Sequence, residues 1–327
     1  MKLIVTGGAG YIGAHVVKQL LENNKSCQIH VIDNFSQSRK NIITNDSITY
    51  HEVDICNSEQ LKKIFQEINP EFVLHFAALA SVPDSVKNPA EYFNTNVIGS
   101  FNILEAMRLT SCKKIIFSSS ASVYGEPISE VITEEHPKNP TNPYGYTKLV
   151  VEKMLEAYYK AYGISSISFR YFCAAGNESS YKLGEYHNPE THVIPALVET
   201  ALGHRDEFNV FGDDFDTADG TGVRDYIHVD DLASAHINAL SIINKETICE
   251  SYNLGINKGF SVRELIATVE EISGSSIPVN IKGRRDGDPS RLIADASKAM
   301  KRLNWSPKHT DIRSIALSAY EAFKKHS

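Results

Sequence analysis

Residues 2–6 (Lys-Leu-Ile-Val-Thr) read as a short buried strand, and Gly7-Gly8-Ala9-Gly10-Tyr11-Ile12-Gly13 follows at once, before a helical pattern through Leu20-Leu21. Strand, glycine turn and helix start in this order are what a dinucleotide pyrophosphate requires. Glycines let the chain turn tightly and come close to the phosphates, and the N–H groups of the helix N-terminus face the negative charge. The spacing is G-x-x-G-x-x-G, not the plain G-x-G-x-x-G. Glycine-rich turns are common, so the pattern draws its weight from context. A second strand, 28–32, ends in Asp33, twenty residues beyond Gly13. A carboxylate there accepts hydrogen bonds from both ribose hydroxyls and repels a 2′-phosphate, which favours NAD over NADP. Arg39 offers a phosphate partner nearby, but Asp33 makes that the poorer choice.

Short apolar runs then alternate with helical segments. Strands are expected at 3–6, 29–33, 72–76, 114–118 and 166–171, and helices near 11–22, 58–68, 91–109 and 144–162. Strands spaced by helices imply right-handed crossovers and an α/β fold, a Rossmann-type doubly wound parallel sheet covered on both faces. From residue 176 the regularity breaks, and 184–189 and 212–222 are rich in Gly, Asp, Asn and Pro. We therefore expect a nucleotide-binding domain over 1–175 and a smaller mixed α/β substrate domain over 176–327, closing over the sheet's carboxyl edge, where ligands of open α/β sheets bind. The helices at 91–109 and 144–162 carry more than one apolar stripe. They are either buried between sheet and second domain or paired with symmetry mates in a homodimer.

At 327 residues the chain has room for two domains. Its net charge of −7, with no lysine or arginine run, argues against a nucleic-acid partner but not against an anionic substrate. Five scattered cysteines with no C-x-x-C suggest a reducing compartment and neither a disulfide frame nor zinc. No apolar run approaches the roughly 18–20 residues of a membrane span. No signal-peptide pattern precedes the first strand. A cytoplasmic protein without a membrane partner is expected.

Tyr144 and Lys148 lie four residues apart at a helix start, just after Asn142-Pro143. That spacing puts both side chains on one face. Tyr-x-x-x-Lys arises readily by chance in a chain with 15 tyrosines. Here, however, the pair follows the fourth expected strand of a nucleotide fold, which ends in Ser118-Ser119-Ser120 and so brings hydroxyls to the same edge. For a phenol to act as a base near neutrality its pKa of about 10 must fall by up to roughly 3 units. The Lys148 ammonium and the positive nicotinamide ring can supply that stabilisation, and a serine can hold the substrate oxygen.

With Ser120, Tyr144 and Lys148 added to the glycine turn, the sequence resembles the extended short-chain dehydrogenase/reductases. Further segments narrow the resemblance to the UDP-glucose (UDP-galactose) 4-epimerases: His75-Phe76-Ala77-Ala78, Ser118 to Gly125, Asn142-Pro143-Tyr144-Gly145, Arg170-Tyr171-Phe172, and Asp219 to Val229, the most specific of them. The resemblance covers residues 1 to about 305. It implies that Tyr144 removes the proton of the sugar 4-hydroxyl with Ser120 bridging. Hydride passes from C4 to tightly held NAD, the 4-keto sugar turns over, and hydride returns to its other face. It also implies that Tyr11 and Ile12 touch the pyrophosphate, Asp33 and Asn34 the ribose, and Asp54 and Ile55 the adenine. Phe76, Ala77, Ala78 and Asn96 line the cofactor, and Phe172 packs near the nicotinamide. His192, Val193, Phe211, Arg224, Arg285 and Asp288 meet the uridine diphosphate, with arginine suited to bidentate phosphate contacts.

There are departures. Cys173 stands where the family has an asparagine that meets the diphosphate, and a thiol is a weak donor. Ala80 replaces a lysine that some members place near the cofactor. Leu292 replaces a tyrosine at the sugar end, and the smaller residue could admit an N-acetyl group, so UDP-N-acetylglucosamine is an alternative substrate. A nucleotide-sugar 4,6-dehydratase would carry an Asp-Glu pair where Ala121 and Ser122 stand. A non-catalytic NAD sensor would tend to lose the tyrosine or lysine. His187 and His192 lack further ligands at metal-binding spacing, and no metal is expected.

Overall fold

A computed structural model describes residues 1–327 apart from 25, 179, 181–182, 184–189, 191, 286 and 327. His187 and the 184–189 loop thus lie outside the described residues. The first half of the chain runs β1 (Lys2–Thr6), α1 (Tyr11–Asn23), β2 (Gln28–Asp33), β3 (Ile48–Glu52), α2 (Ser58–Ile68), β4 (Phe72–His75) and α3 (Val82–Lys87). Next come α4 (Pro89–Tyr92), a π-helical turn (Phe93–Ile98), α5 (Gly99–Arg108), β5 (Lys114–Ser120), α6 (Pro143–Tyr162) and β6 (Ser165–Tyr171). The second half runs β7 (Cys173–Ala175), α7 (Val193–Ala201), β8 (Phe208–Phe211), β9 (Val223–His228), α8 (Val229–Lys245) and β10 (Cys249–Leu254). It continues with β11 (Gly259–Ser261), α9 (Val262–Ser273), β12 (Val279–Lys282), β13 (Arg291–Leu292), α10 (Ser297–Leu303) and α11 (Ile312–His326).

Seven parallel strands form the main sheet in the order β10-β6-β5-β4-β1-β2-β3. The order reverses between β1 and β4, which opens a crevice at their carboxyl ends. Both faces are covered, so the central strands are apolar on both sides. Leu3, Val5, Ile29 and Val31 pack with Val16, Val17 and Leu20 of α1 and Leu232, Ala235 and Ala239 of α8. Ile4, Ile32, Val73 and Ile115 pack with residues of α2, α5 and α6 on the other face. A third core joins α7, α9 and α11 to β8 and β9.

Beyond residue 175 the chain builds the two smaller sheets and also rejoins the large one. It returns to the main sheet: α8 lies over α1, and β10 pairs with β6. Its apolar run is short and polar at its start, so it carries no signal for an edge position in a sheet begun 250 residues earlier. The strand at 48–52 was likewise not expected. Its burial is only partial, as befits an edge.

Candidate active site

A cavity of about 1280 Å³ runs from the glycine turn along the carboxyl edge of the main sheet to β8, β9 and β13. A single small ligand occupies roughly 300–1,000 Å³, so there is room for two. Three glycines of the turn have different physical reasons. Gly7 has φ of +68°, and a Cβ there would lie 2.5 Å from the Ala77 nitrogen. At Gly13 a Cβ would lie 2.2 Å from the Gly7 carbonyl oxygen, because α1 starts directly against the turn. At Gly10 the nearest atom would be 3.4 Å away, so no protein atom demands glycine there. Gly10 caps α1 without a side chain and borders the cavity, leaving space for a ligand against the helix N-terminus. A pyrophosphate fits this cradle.

Asp33 ends β2 at the cavity wall. Its Oδ2 accepts from Ala9 N at 3.2 Å, and its Oδ1 accepts from Phe35 N and Ser38 Oγ at 2.9 Å each. Three of roughly four acceptor positions are therefore in use. Accepting from both ribose hydroxyls, as expected above, requires the Ser38 hydroxyl to turn away. Asn34 donates to Asp54 Oδ2 at 3.1 Å, and Asn34, Asp54 and Ile55 all line the cavity. Although burial pushes the Asp54 carboxyl up, hydrogen bonds from Cys56 N and Asn34 hold it below its ordinary value.

Phe76, Ala77 and Ala78 line the cavity just beyond β4, with Phe76 N and Ala77 N both donating to the Thr6 carbonyl. Asn96 is buried in a helical segment further along. It stands behind the wall, in the π-helical turn, where Oδ1 accepts from Leu79 N at 2.8 Å and Nδ2 donates to Leu79 O and Thr147 Oγ1. Its carboxamide holds the lining segment in place, and Thr95 is the lining residue there. π-Turns often mark functional sites.

Helix α6 begins where Asn142 accepts from Gly145 N at 2.9 Å and Pro143 pre-sets the first turn. It delivers Tyr144 and Lys148 to the carboxyl end of β5, and both line the cavity with Ser120. Lys148 Nζ donates to the Ser118 carbonyl at 2.7 Å and lies 5.7 Å from the centre of the Tyr144 ring. Burial lowers the Lys148 pKa to about 7. Burial also raises the Tyr144 phenol above its ordinary value, and a hydrogen-bonding interaction with Ser120 only partly offsets this. The protein's own groups thus leave the phenol protonated at neutral pH.

One turn further along α6, Glu152 accepts from Ser119 Oγ at 2.6 Å and from Arg170 Nε and Nη2 at 3.0 and 2.7 Å. This buried pair ties α6 to β5 and β6. Tyr171, lining the cavity, shares a 2.7 Å hydrogen bond with His236 Nε2.

At the far end, Phe172, Cys173, His192, Val193, Phe211, Arg224, Arg285, Asp288 and Leu292 all line the same cavity. Arg224 forms an ion pair with Asp288, and the Arg285 guanidinium stacks 3.8 Å from the Phe211 ring centre. His192 caps α7, its N–H donating to Glu190 Oε1 at 2.7 Å. Asn209 was not singled out in the sequence. It lines the cavity two residues before Phe211, and its buried Oδ1 has no hydrogen-bond partner among the described residues. Alternation along β8 was the signal available for it. Elsewhere, His228, Asp230 and His309 approach one another. His228 Nδ1 accepts from Asp230 N and its Nε2 meets Ser318 Oγ, both at 3.1 Å, while the two imidazoles stack with centres 3.9 Å apart. Stacked rings with both His228 nitrogens engaged do not converge on an ion.

Fold and site together define an extended short-chain dehydrogenase/reductase with a second ligand arm. A sequence-family model described as GDP-mannose 4,6 dehydratase matches residues 4–315. The UDP-glucose 4-epimerase of Halalkalibacterium halodurans is 44% identical over 326 residues, spanning 100% of this chain and 96% of the relative. The UDP-glucose 4-epimerase of Brucella ovis in complex with NAD superposes with a TM-score of 0.93 at 40% identity, covering 98% of each chain. That of Bifidobacterium longum, in complex with NAD+ and UDP, gives 0.94 at 39% identity, covering 99% and 98%. The chain belongs to this family, and within it to the UDP-glucose 4-epimerases.

Proposed function

We propose that the protein interconverts UDP-galactose and UDP-glucose through a transient 4-keto sugar, with NAD retained throughout the cycle. The observation that carries this reading is a single cavity with a pyrophosphate cradle at one end, an Arg224–Asp288–Arg285 cluster at the other, and Tyr144, Ser120 and Lys148 at the sheet edge they share. The relatives solved with NAD and with NAD+ and UDP support the two occupants.

Bound NAD supplies hydride-accepting and hydride-donating capacity and, oxidised, a positive ring. Tyr144 takes the proton from the sugar 4-hydroxyl and later returns it, with Ser120 sharing that oxygen. Burial raises the phenol, so its use as a base would call on the positive charge that bound, oxidised NAD would bring beside it. Lys148 holds the helix start against Ser118. Arg224 and Arg285 retain the diphosphate while the sugar turns, and Asn209 offers a carboxamide to the base. Ala121 and Ser122 give no acid pair for elimination, which weighs against a dehydratase despite the family model's description.

A second reading, acceptance of N-acetylated UDP-sugars, is favoured by Leu292, which packs in an apolar cluster with Phe172 and Ala294 and lines the cavity. The protein forms a homodimer through α6 and the helix before β5. Phe93 in the π-helical turn and Phe101 on α5, and Tyr146 and Val150 one turn apart on α6, are 37–46% exposed. We place it in the cytoplasm. Its cysteines are free thiols, and no helix among the described residues is long and apolar enough to cross a membrane. Incubation with UDP-galactose, followed by resolution of UDP-glucose and assay of NAD released on denaturation, tests the reading. No UDP-glucose, or no bound NAD, contradicts it.

A further inference from the structure

Arg224 and Tyr226 stand two residues apart on β9, so they project from one face of the strand, and both line the cavity. Asp225 between them projects the other way and accepts from the backbone of Ile256, Asn257 and Ala294. Cys173 is the register partner of Tyr226 on the neighbouring parallel strand and also lines the cavity. The three side chains make one wall.

Tyr226 is 3% exposed, and its ring packs in the third core. Its hydroxyl nevertheless has no hydrogen-bond partner among the described residues, and it is not one of the atoms sealed from solvent. The open end of the side chain therefore meets the cavity. A buried tyrosine ordinarily finds a partner for its O–H. Burial, reinforced by Cys173, holds this phenol well above its ordinary value, with Arg224 and Asp288 also acting on it. At physiological pH it is a neutral donor beside a guanidinium. The Cys173 thiol on the same wall is a weak donor.

We propose that Tyr226 is a further substrate-binding residue whose O–H donates to a phosphate oxygen of the nucleoside diphosphate held by Arg224. This rests on the UDP-sugar reading above. The hydroxyl supplies the strong neutral donor that Cys173 does not.

Tyr226→Phe removes one oxygen and keeps the ring. Calorimetric titration of the holoenzyme with UDP should show affinity about tenfold weaker, and KM for UDP-galactose should rise by about the same factor with kcat changed less than about threefold. Uridine, lacking phosphates, should bind wild type and variant equally. Thermal stability should not fall, since the hydroxyl has no protein partner to lose. Adding Cys173→Asn to the variant, which returns a donor to the same wall, should recover most of the lost affinity. Equal UDP affinity in wild type and variant overturns the proposal, and so does equal weakening toward UDP and uridine, or a lowered melting temperature with unchanged KM. Wild-type protein that binds no UDP sinks the substrate reading itself, and this proposal with it.

Discussion

The ammonium of Lys148 donates to the carbonyl oxygen of Ser118 at 2.7 Å, in surroundings that bring its pKa down from 10.5 to about 7. A lysine with a depressed folded pKa binds fewer protons folded than unfolded between about pH 7 and 10.5. Its contribution to stability therefore rises with pH across that window and is flat below it. Relative to Lys148→Met, the wild type should gain about 1.4 kcal/mol of unfolding free energy per pH unit above about pH 7. Urea denaturation of both proteins at about pH 6, 7, 8 and 9 checks this. A difference that stays constant over the series rules out the assigned burial.

The Glu152–Arg170 pair is buried, with 4% and 3% of the two side chains exposed, and Ser119 completes it. Glu152→Gln leaves Arg170 charged and poorly compensated, which costs about 3–5 kcal/mol. Because the same carboxylate ties α6 to β5, kcat should fall along with the melting temperature. A variant as stable and as active as wild type would show that the pair is dispensable.

Much of this arrangement is legible in the sequence, and the reasons differ by region. The glycine turn, Asp33 and the Asn142-Pro143 helix start are local signals, each set by backbone chemistry within a few residues. The five strands expected in the first half are all present. The return of β10 to the main sheet is a long-range pairing with no local mark, so the sequence gives no sign of it. Asn96 illustrates a subtler limit. Its position beside the cofactor wall was legible, but whether a carboxamide faces a ligand or braces a loop depends on Leu79 and Thr147, which only the fold brings near. The protonation of Tyr144 is a similar case, because spacing gives the neighbour and burial decides the sign.

Leu292 is half-buried on β13 and packs in the same cluster as Phe172. Leu292→Tyr fills the sugar end of the cavity. Turnover of UDP-N-acetylgalactosamine should fall at least about tenfold relative to UDP-galactose. Competition assays with both substrates measure the ratio, and an unchanged ratio excludes position 292 as the determinant.

Phe101 is 43% exposed on the apolar stripe assigned to the dimer. Phe101→Glu places a charge in that face and should give a monomer by light scattering with the fold intact by circular dichroism. Wild type that already elutes as a monomer contradicts the assignment.

The most direct test concerns Tyr144. Purified Tyr144→Phe should carry as much NAD as wild type, because the ring and Lys148 stay in place. Its conversion of UDP-galactose to UDP-glucose should fall by about 10²–10⁴-fold. NAD retention together with turnover at the wild-type rate would contradict the account, since the proton would then leave the sugar without this phenol.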